Sequence, residues 1–367
     1  MKVAVITRHA ITNYGSLLQA LATQKAIEKL GHTCKIIDYV RYDESYSQRE
    51  KTLLKRKEQW NSNFIKRLIY LALRQPESIA AGRRFERAQN SYLNLTERID
   101  SQEKLKELDL DADVYVTGSD QVWGPTENGE YDDSYCLAFT NNESKRIAYA
   151  ASFGRTEITD DVKDYYKMWL SRYRHIAVRE DSAIGILEGI GLTASQVLDP
   201  TLLISADEWT QYLKPIKHSK YVLVYQLHND KKLGKYAQKV AKEKGLPLIR
   251  ISASFHQITR EGEFVWCPDI GQFLSYIKNA ACMITDSFHG TAFAINFNTP
   301  FVEILPNNNT GTRNVSILKL TGLVDRILED ENDVSLGVKA IDFAYANKMI
   351  AEKRTESIEI LKQMIED

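Results

Sequence analysis

The stretch ACMITDSFHGTAFAINFNTPFVEI, residues 281–304, limits the fold more than any other. Residues 283–285 form a short apolar run that reads as a buried strand. Asp286 and Ser287 are helix-capping types, residues 290–296 are small and apolar enough for a helix lying close on a sheet, and FVEI is a further strand. The turn between strand and helix then lies at the carboxyl end of a parallel strand, where open α/β sheets bind ligands. The first N–H groups of the helix would face an anion there. His289 sits in that turn and is the first candidate for chemistry. The plainer reading is a structural histidine beside a capped helix.

The same rhythm opens the chain. Residues 3–7 (VAVIT) are a strand, residues 17–30 carry apolar residues at helical spacing before Gly31, and residues 34–38 (CKIID) are a second strand, which predicts a parallel, Rossmann-like sheet. Its first loop, RHAITNYGSLLQ, offers Asn13, Gly15 and Ser16 for a tight turn into a helix, with backbone N–H groups facing a ligand. It lacks G-x-G-x-x-G, so a dinucleotide site is not indicated. The sheet resumes at residues 113–117 (DVYVT), followed by GSDQVWGP. Asp120 and Gln121 are suited to sugar hydroxyls there, and Trp123 to the flat face of a sugar ring. RIAYAAS and HIAV are further strands. The second runs into Arg179, placed either for bidentate contact with phosphate or carboxylate or for an ion pair with Glu180 or Asp181.

VLDP, residues 197–200, ends this half, and Ser205-Ala206-Asp207-Glu208 reads as the cap and acidic first turn of a new helix. A second strand–helix series follows: a strand from 221 to 226, a Lys-rich helix to Lys244, a strand from 246 to 252, a helix from 271 to 279, and then the 281–304 unit. At 367 residues the chain exceeds what one core usually serves. The expectation is an α/β protein with two Rossmann-like domains facing a cleft, residues 1–203 and 204–340. Beyond FVEI come a polar NNNTGT loop, residues 307–312, and Arg313 ahead of the helical SILKLTG. Residues 341–367 form a long charged helix able to cross back to the first domain.

Residues 41–109 break the rhythm and predict a helical insert in the first domain. Between Arg41 and Asn90 there are twelve Lys or Arg and six Asp or Glu, around the apolar FIKRLIYLALR. A basic amphipathic helix can lie on an anionic membrane or line a pocket for an acidic acceptor, although such charge is more often a solvated face. Over the whole chain 48 Lys and Arg balance 49 Asp and Glu, so no global field draws the protein to nucleic acid, and an anion must be met locally. Cys34, Cys136, Cys267 and Cys282 are scattered, with no histidine at metal-ligand spacing. They read as buried reduced thiols, and no metal is expected. Residues 1–7 run straight into a strand, without the apolar core of a signal peptide, and no run of about eighteen apolar residues offers a membrane span. A cytoplasmic location is expected, at the inner face of the membrane if the insert touches lipid.

NYGSLLQA after the first strand, the GSDQVW loop, AVRE before a helix, VLDP at mid-chain and TDSFHGTAFA near the end together resemble the polysaccharide pyruvyl transferase family over nearly the whole chain. The resemblance implies a two-domain fold like that of GT-B glycosyltransferases, with acceptor bound on the first domain and donor on the second. It implies transfer of an enolpyruvyl-derived group from phosphoenolpyruvate, a co-substrate with no further cofactor, to two hydroxyls of a sugar in a glycan or its lipid-linked precursor. By position His289 matches the family's active-site histidine, Arg179 the arginine of its mid-chain motif and Asp120 the acidic residue of its first loop. Ser287, Gly290 and Arg313 join Arg179 as donor-side candidates. Asn13, Tyr14, Gly15, Ser16, Gln121 and Trp123 are candidates for the acceptor or its loop. One departure stands out: better-known members carry Arg-Leu-His-Gly where this chain has Ser287-Phe288-His289-Gly290. Either Arg313 or a residue of the basic insert replaces that cation, or the donor differs. The rival functions are a glycosyltransferase using a nucleotide sugar, with Asp120 as base, and a non-catalytic sugar-binding relative.

Overall fold

The computed structural model describes residues 1–108, 110–141, 143–306 and 311–367. The chain forms two compact units, Met1–Pro200 with Ser357–Asp367, and Thr201–Glu356.

The first unit is built on a parallel six-stranded sheet of β1 (Lys2–Ile6), β2 (Thr33–Ile36), β3 (Val114–Thr117), β4 (Lys145–Ala151), β5 (His175–Val178) and β6 (Ser195–Gln196), in the order β2-β1-β3-β4-β5-β6. β1 and β4 are buried almost throughout because helices cover both faces of the sheet, and this is why they read as unbroken apolar runs. Ile6, Ile37, Leu105, Trp123, Tyr166 and Leu187 belong to its core. Asn13 caps the helix Tyr14–Lys29 by accepting from Gly15 N–H at 2.8 Å. That helix starts earlier than the apolar spacing indicates, so Tyr14, Gly15 and Ser16 are its first turn and not a loop. In the insert the helix Phe64–Tyr92, capped by Asn63, continues well past the apolar segment.

The second unit has a parallel five-stranded sheet: β7 (Val222–Tyr225), β8 (Leu248–Ser252), β9 (Glu263–Trp266), β10 (Cys282–Thr285) and β11 (Phe301–Glu303), ordered β11-β10-β7-β8-β9. Val222, Val224, Leu233, Tyr236, Ile284 and Val302 are part of its core. Ser205 and Glu208 form the reciprocal capping box expected from the sequence. β9, which the sequence reading did not place, is a half-buried edge strand of four residues. The helix Ala344–Glu366 closes the chain, and within the first unit Leu198 N–H donates to Ser357 Oγ at 3.0 Å.

Both strand orders reverse at a defined place. In the first sheet the reversal lies between β1 and β3, in the second between β7 and β10. In open α/β sheets the loops leaving such a strand pair diverge and leave a crevice at the carboxyl edge. The four loops that matter therefore follow β1, β3, β7 and β10.

Candidate functional site

In the first unit, the first turn of the helix Tyr14–Lys29 and the loop after β3 bring Ser16 and Asp120 together, Ser16 Oγ donating to Asp120 Oδ2 at 2.7 Å. Gly118 has φ +116°, and a Cβ there would collide with the Tyr149 carbonyl, so this turn can only be made by glycine. Asp120 follows in the left-handed region at φ 71°, an uncommon conformation for a residue with a side chain. Its other oxygen accepts from Arg179 Nη2 at 3.2 Å.

Arg179 is the centre of a buried ion network. Its guanidinium also donates to Asp199 Oδ2 at 2.8 Å and lies 3.4 Å from Glu180 Oε2. Each carboxylate has a serine donor as well: Ser16 for Asp120, Ser119 for Asp199 at 3.2 Å and Ser152 for Glu180 at 2.6 Å. Burial alone would lower the arginine's pKa, but Asp120, Asp199 and Glu180 together raise it above the ordinary value. The Arg179 side chain is 1% exposed, those of Glu180 and Asp199 1% and 0%, and that of Asp120 12%. Three carboxylates face one guanidinium, and only Asp120 reaches toward the surface. Of the two readings the sequence offers for Arg179, the ion pair with Glu180 is present, joined by Asp120 and Asp199, and the guanidinium is buried among these carboxylates.

Two other candidates in this unit, Trp123 and Tyr14, lie in the core. Trp123 is 1% exposed and packs against Phe153 and Tyr173 at centroid distances of 5.0 and 6.4 Å. It is a core residue and not a platform for a sugar ring. Tyr14, also 1% exposed, packs on Phe85 of the insert at 5.0 Å. Asn13 and Gly15 are joined to each other as cap and capped N–H, so that N–H does not face a ligand. Gln121 is half-buried, and its side chain lies against Gly154.

In the second unit His289 lies in the first turn of the helix Phe288–Phe297, one step beyond the turn in which the sequence places it, and is 5% exposed. Ser287 is the cap, its Oγ accepting from Gly290 N–H at 3.2 Å. Ser287 and Gly290 are thus joined as cap and capped N–H, and shape the turn. Gly290 is required for packing: a Cβ would come within 2.7 Å of Thr285 Oγ1 and 3.1 Å of the Tyr225 ring. Asp286 does not cap the helix but crosses the β7–β10 crevice, accepting from Leu227 N–H at 2.7 Å and His228 N–H at 2.9 Å. Arg313, in the first turn of the helix Thr312–Thr321, places its guanidinium 5.7 Å from the centroid of the Phe288 ring. The residue before His289 is therefore covered by a cation.

Three residues that the sequence reading passed over belong to these sites. Asp199 stands in the quoted VLDP motif, but only the fold shows that it meets Arg179. His228 follows an apolar strand, as His289 does. Its Nδ1 is 3.3 Å from Asp286 Oδ2, and with Asn229, Asp230, Asp286, Ile304, Leu305 and Pro306 it lines a cavity of about 220 Å³. Glu303, the last residue of β11, is fully buried and accepts from Asn314 Nδ2 at 2.6 Å, with Thr291 Oγ1 on its other oxygen. Burial pushes its carboxyl up to about 8, against the opposing effect of these two partners.

Among solved structures the fold is similar to UDP-N-acetylglucosamine 2-epimerase from Methanocaldococcus jannaschii (TM-score 0.52, 13% identity, covering 99% of this chain and 100% of that one). It is also similar to MnaA of S. aureus with UDP (TM-score 0.53, 12% identity, 100% and 98%) and to UDP-GlcNAc 2-epimerase from Neisseria meningitidis bound to UDP-GlcNAc (TM-score 0.50, 10% identity, 100% and 94%). At such identities the likeness is one of fold, a GT-B-like pairing of Rossmann-like units. No curated protein matches the sequence. Residues 13–309 match the polysaccharide pyruvyl transferase family, and they include the Asp120–Arg179 network and the His289 turn; this chain is a member of that family and a transferase.

Proposed function

We propose that the protein transfers the pyruvyl group of phosphoenolpyruvate to two hydroxyls of a sugar acceptor. The donor's methylene carbon gains a proton and its C2 bonds to the first hydroxyl oxygen; the second hydroxyl oxygen then displaces phosphate from C2, and both hydroxyl protons are given up. His289 is suited to deliver or hold a proton at the donor, a contribution typically of about 10²–10⁴-fold. Asp120, the least buried member of a network with more carboxylates than cations, is suited to take a hydroxyl proton. Arg313 would hold the donor's carboxylate or phosphate.

The observation that carries this reading is Arg313 over Phe288. The cation that the family places two residues before the histidine is Ser287 here, and a guanidinium from another helix stands beside the intervening residue. The acceptor in this reading is a glycan intermediate in the cytoplasm, lipid-linked and met at the inner face of the membrane. A second reading, a glycosyltransferase acting on a nucleotide sugar, draws on the cavity between the β7 and β10 loops.

Thermal unfolding with each donor separates the two. Phosphoenolpyruvate should raise Tm, by an amount equivalent to about 2.7 kcal/mol at one hundred times Kd, and UDP-sugars should not. His289→Gln should keep that shift and lose most phosphate release. A shift with UDP-sugars alone would replace this reading by the second.

A further inference from the structure

The first ten residues of the helix Phe64–Tyr92 present their apolar side outward. Phe64, Ile65, Leu68, Ile69 and Leu73 are 75%, 68%, 58%, 46% and 68% exposed. Their spacing puts them on one face, with Ala72 between them, and makes a continuous stripe along the outer side. The opposite face holds the helix to the insert: Tyr70 is buried, its ring 6.0 Å from that of Trp60 and its hydroxyl donating to Glu50 Oε2 at 2.7 Å. An ordinary surface helix buries such a stripe. Here the inward anchoring is separate, and the stripe faces water. Isolated exposed apolar residues are common, but a contiguous patch of large ones marks an interaction surface.

The charges around the patch identify the partner. Across residues 55–73 the exposed charged side chains are Lys55, Arg56, Lys57, Lys66 and Arg67 against the single acid Glu58. Lys66 lies within the helix; Lys55 ends the helix Arg49–Lys55, and Lys57 Nζ stands 5.1 Å from the centroid of the Tyr70 ring, on the side away from the stripe. A protein partner would have to match an apolar stripe and a local excess of exposed cations together. An anionic bilayer supplies both: acyl chains for Phe64, Ile65 and Leu68, and phosphates at the level where lysine and arginine side chains can reach them. No described helix is long and apolar enough to cross a membrane.

We infer that this helix segment is an interfacial membrane anchor, lying in the plane of an anionic phospholipid surface with its Phe64–Leu73 stripe inserted. This stands on the surface of the insert alone, and it survives or fails independently of the pyruvyl-transfer reading.

The test is co-sedimentation of the full chain with vesicles of phosphatidylcholine, with and without phosphatidylglycerol, alongside light scattering of the free protein. The wild type should partition to the anionic vesicles at least about tenfold more than to neutral ones, and less at high salt. Phe64→Ser with Ile65→Ser and Leu68→Ser should reduce that partitioning about tenfold or more while leaving Tm within a few degrees, since these side chains are exposed. Lys55→Glu with Lys57→Glu and Lys66→Glu should abolish the preference for anionic lipid. Wild-type protein that stays in the supernatant with both vesicles, or binding untouched by the serine substitutions, overturns the inference. A wild-type dimer that the serine variant converts to monomer also overturns it, and assigns the stripe to a second copy of the chain.

Discussion

Arg179 separates two readings of one residue. An arginine at the end of a parallel strand is well placed for an anionic ligand, and that expectation takes no account of carboxylates arriving from elsewhere in the chain. Asp120 comes from the β3 loop and Asp199 from mid-chain, and with Glu180 they leave the guanidinium 1% exposed. Removing one partner of such a buried network leaves uncompensated charge, at a cost of about 3–5 kcal/mol. Arg179→Lys keeps the charge but cannot reach three carboxylates at once, because an ammonium lacks the planar fork. Its expected signature is a lowered Tm and a lowered kcat, with the Tm shift produced by phosphoenolpyruvate unchanged in size. Loss of that donor shift in a variant that folds normally would return Arg179 to the donor site.

At the scale of elements, Glu303 shows how the His289 helix is held. The carboxyl closes β11 and ties two helices to it, through Thr291 of Phe288–Phe297 and Asn314 of Thr312–Thr321. Thr291 Oγ1 also lies 3.1 Å from the carbonyl of Ser287 and has one proton to give. If Glu303 is neutral, its own O–H donates to Thr291, Thr291 donates to Ser287, and Asn314 donates to the remaining oxygen, so every partner is satisfied. If Glu303 is ionised, Thr291 can serve only one of its two acceptors. Burial raises this carboxyl from 4.5 in the unfolded chain to about 8 in the fold. The unfolded state gives up its proton first. Glu303 therefore contributes its full stability below about 4.5, and the contribution is lost as pH rises toward 8. Glu303→Gln, neutral at every pH, should flatten the fall in Tm over that window. A variant whose Tm falls as steeply as the wild type's between those values would show that Glu303 is ionised in the fold.

The same elements show what the sequence displays and what it hides. Strands buried on both faces appear as apolar runs, so β1, β4, β7 and β10 are legible, and the helix cap at Ser287 is local chemistry that residue type announces. Trp123 is not legible. Its neighbours Asp120 and Gln121 are polar, and whether an indole in such a loop faces solvent or core depends on the direction of the backbone, which turns at Asp120 through a left-handed φ and returns Val122 and Trp123 to the core. Nor does the insert reveal that its apolar stripe points outward, because periodicity locates a face and only packing decides what covers it.

On the scale of the whole molecule, the chain passes between its units near residues 200 and 356, and each unit carries its own crevice where strand order reverses. The division of labour proposed for the two is therefore open to separate measurement. Donor groups on the second unit, Arg313 and His289, are assembled from β10, its helix and the helix that follows β11; the proposed base, Asp120, is assembled from β3 and β5 of the first. A ligand that binds one unit slows hydrogen exchange there by suppressing local opening of the loops it orders. Phosphoenolpyruvate added alone should protect the loops after β7 and β10, residues 226–230 and 286–290, and leave the loops after β1 and β3, residues 7–13 and 118–124, exchanging as before. A sugar acceptor added alone should give the converse pattern. His289 at the β10 turn and Arg313 on the helix that follows β11 cannot account for donor binding if phosphoenolpyruvate protects only the first unit. In that event the ion network around Arg179 would have to open to admit the donor, and the Arg179 guanidinium would be a donor ligand.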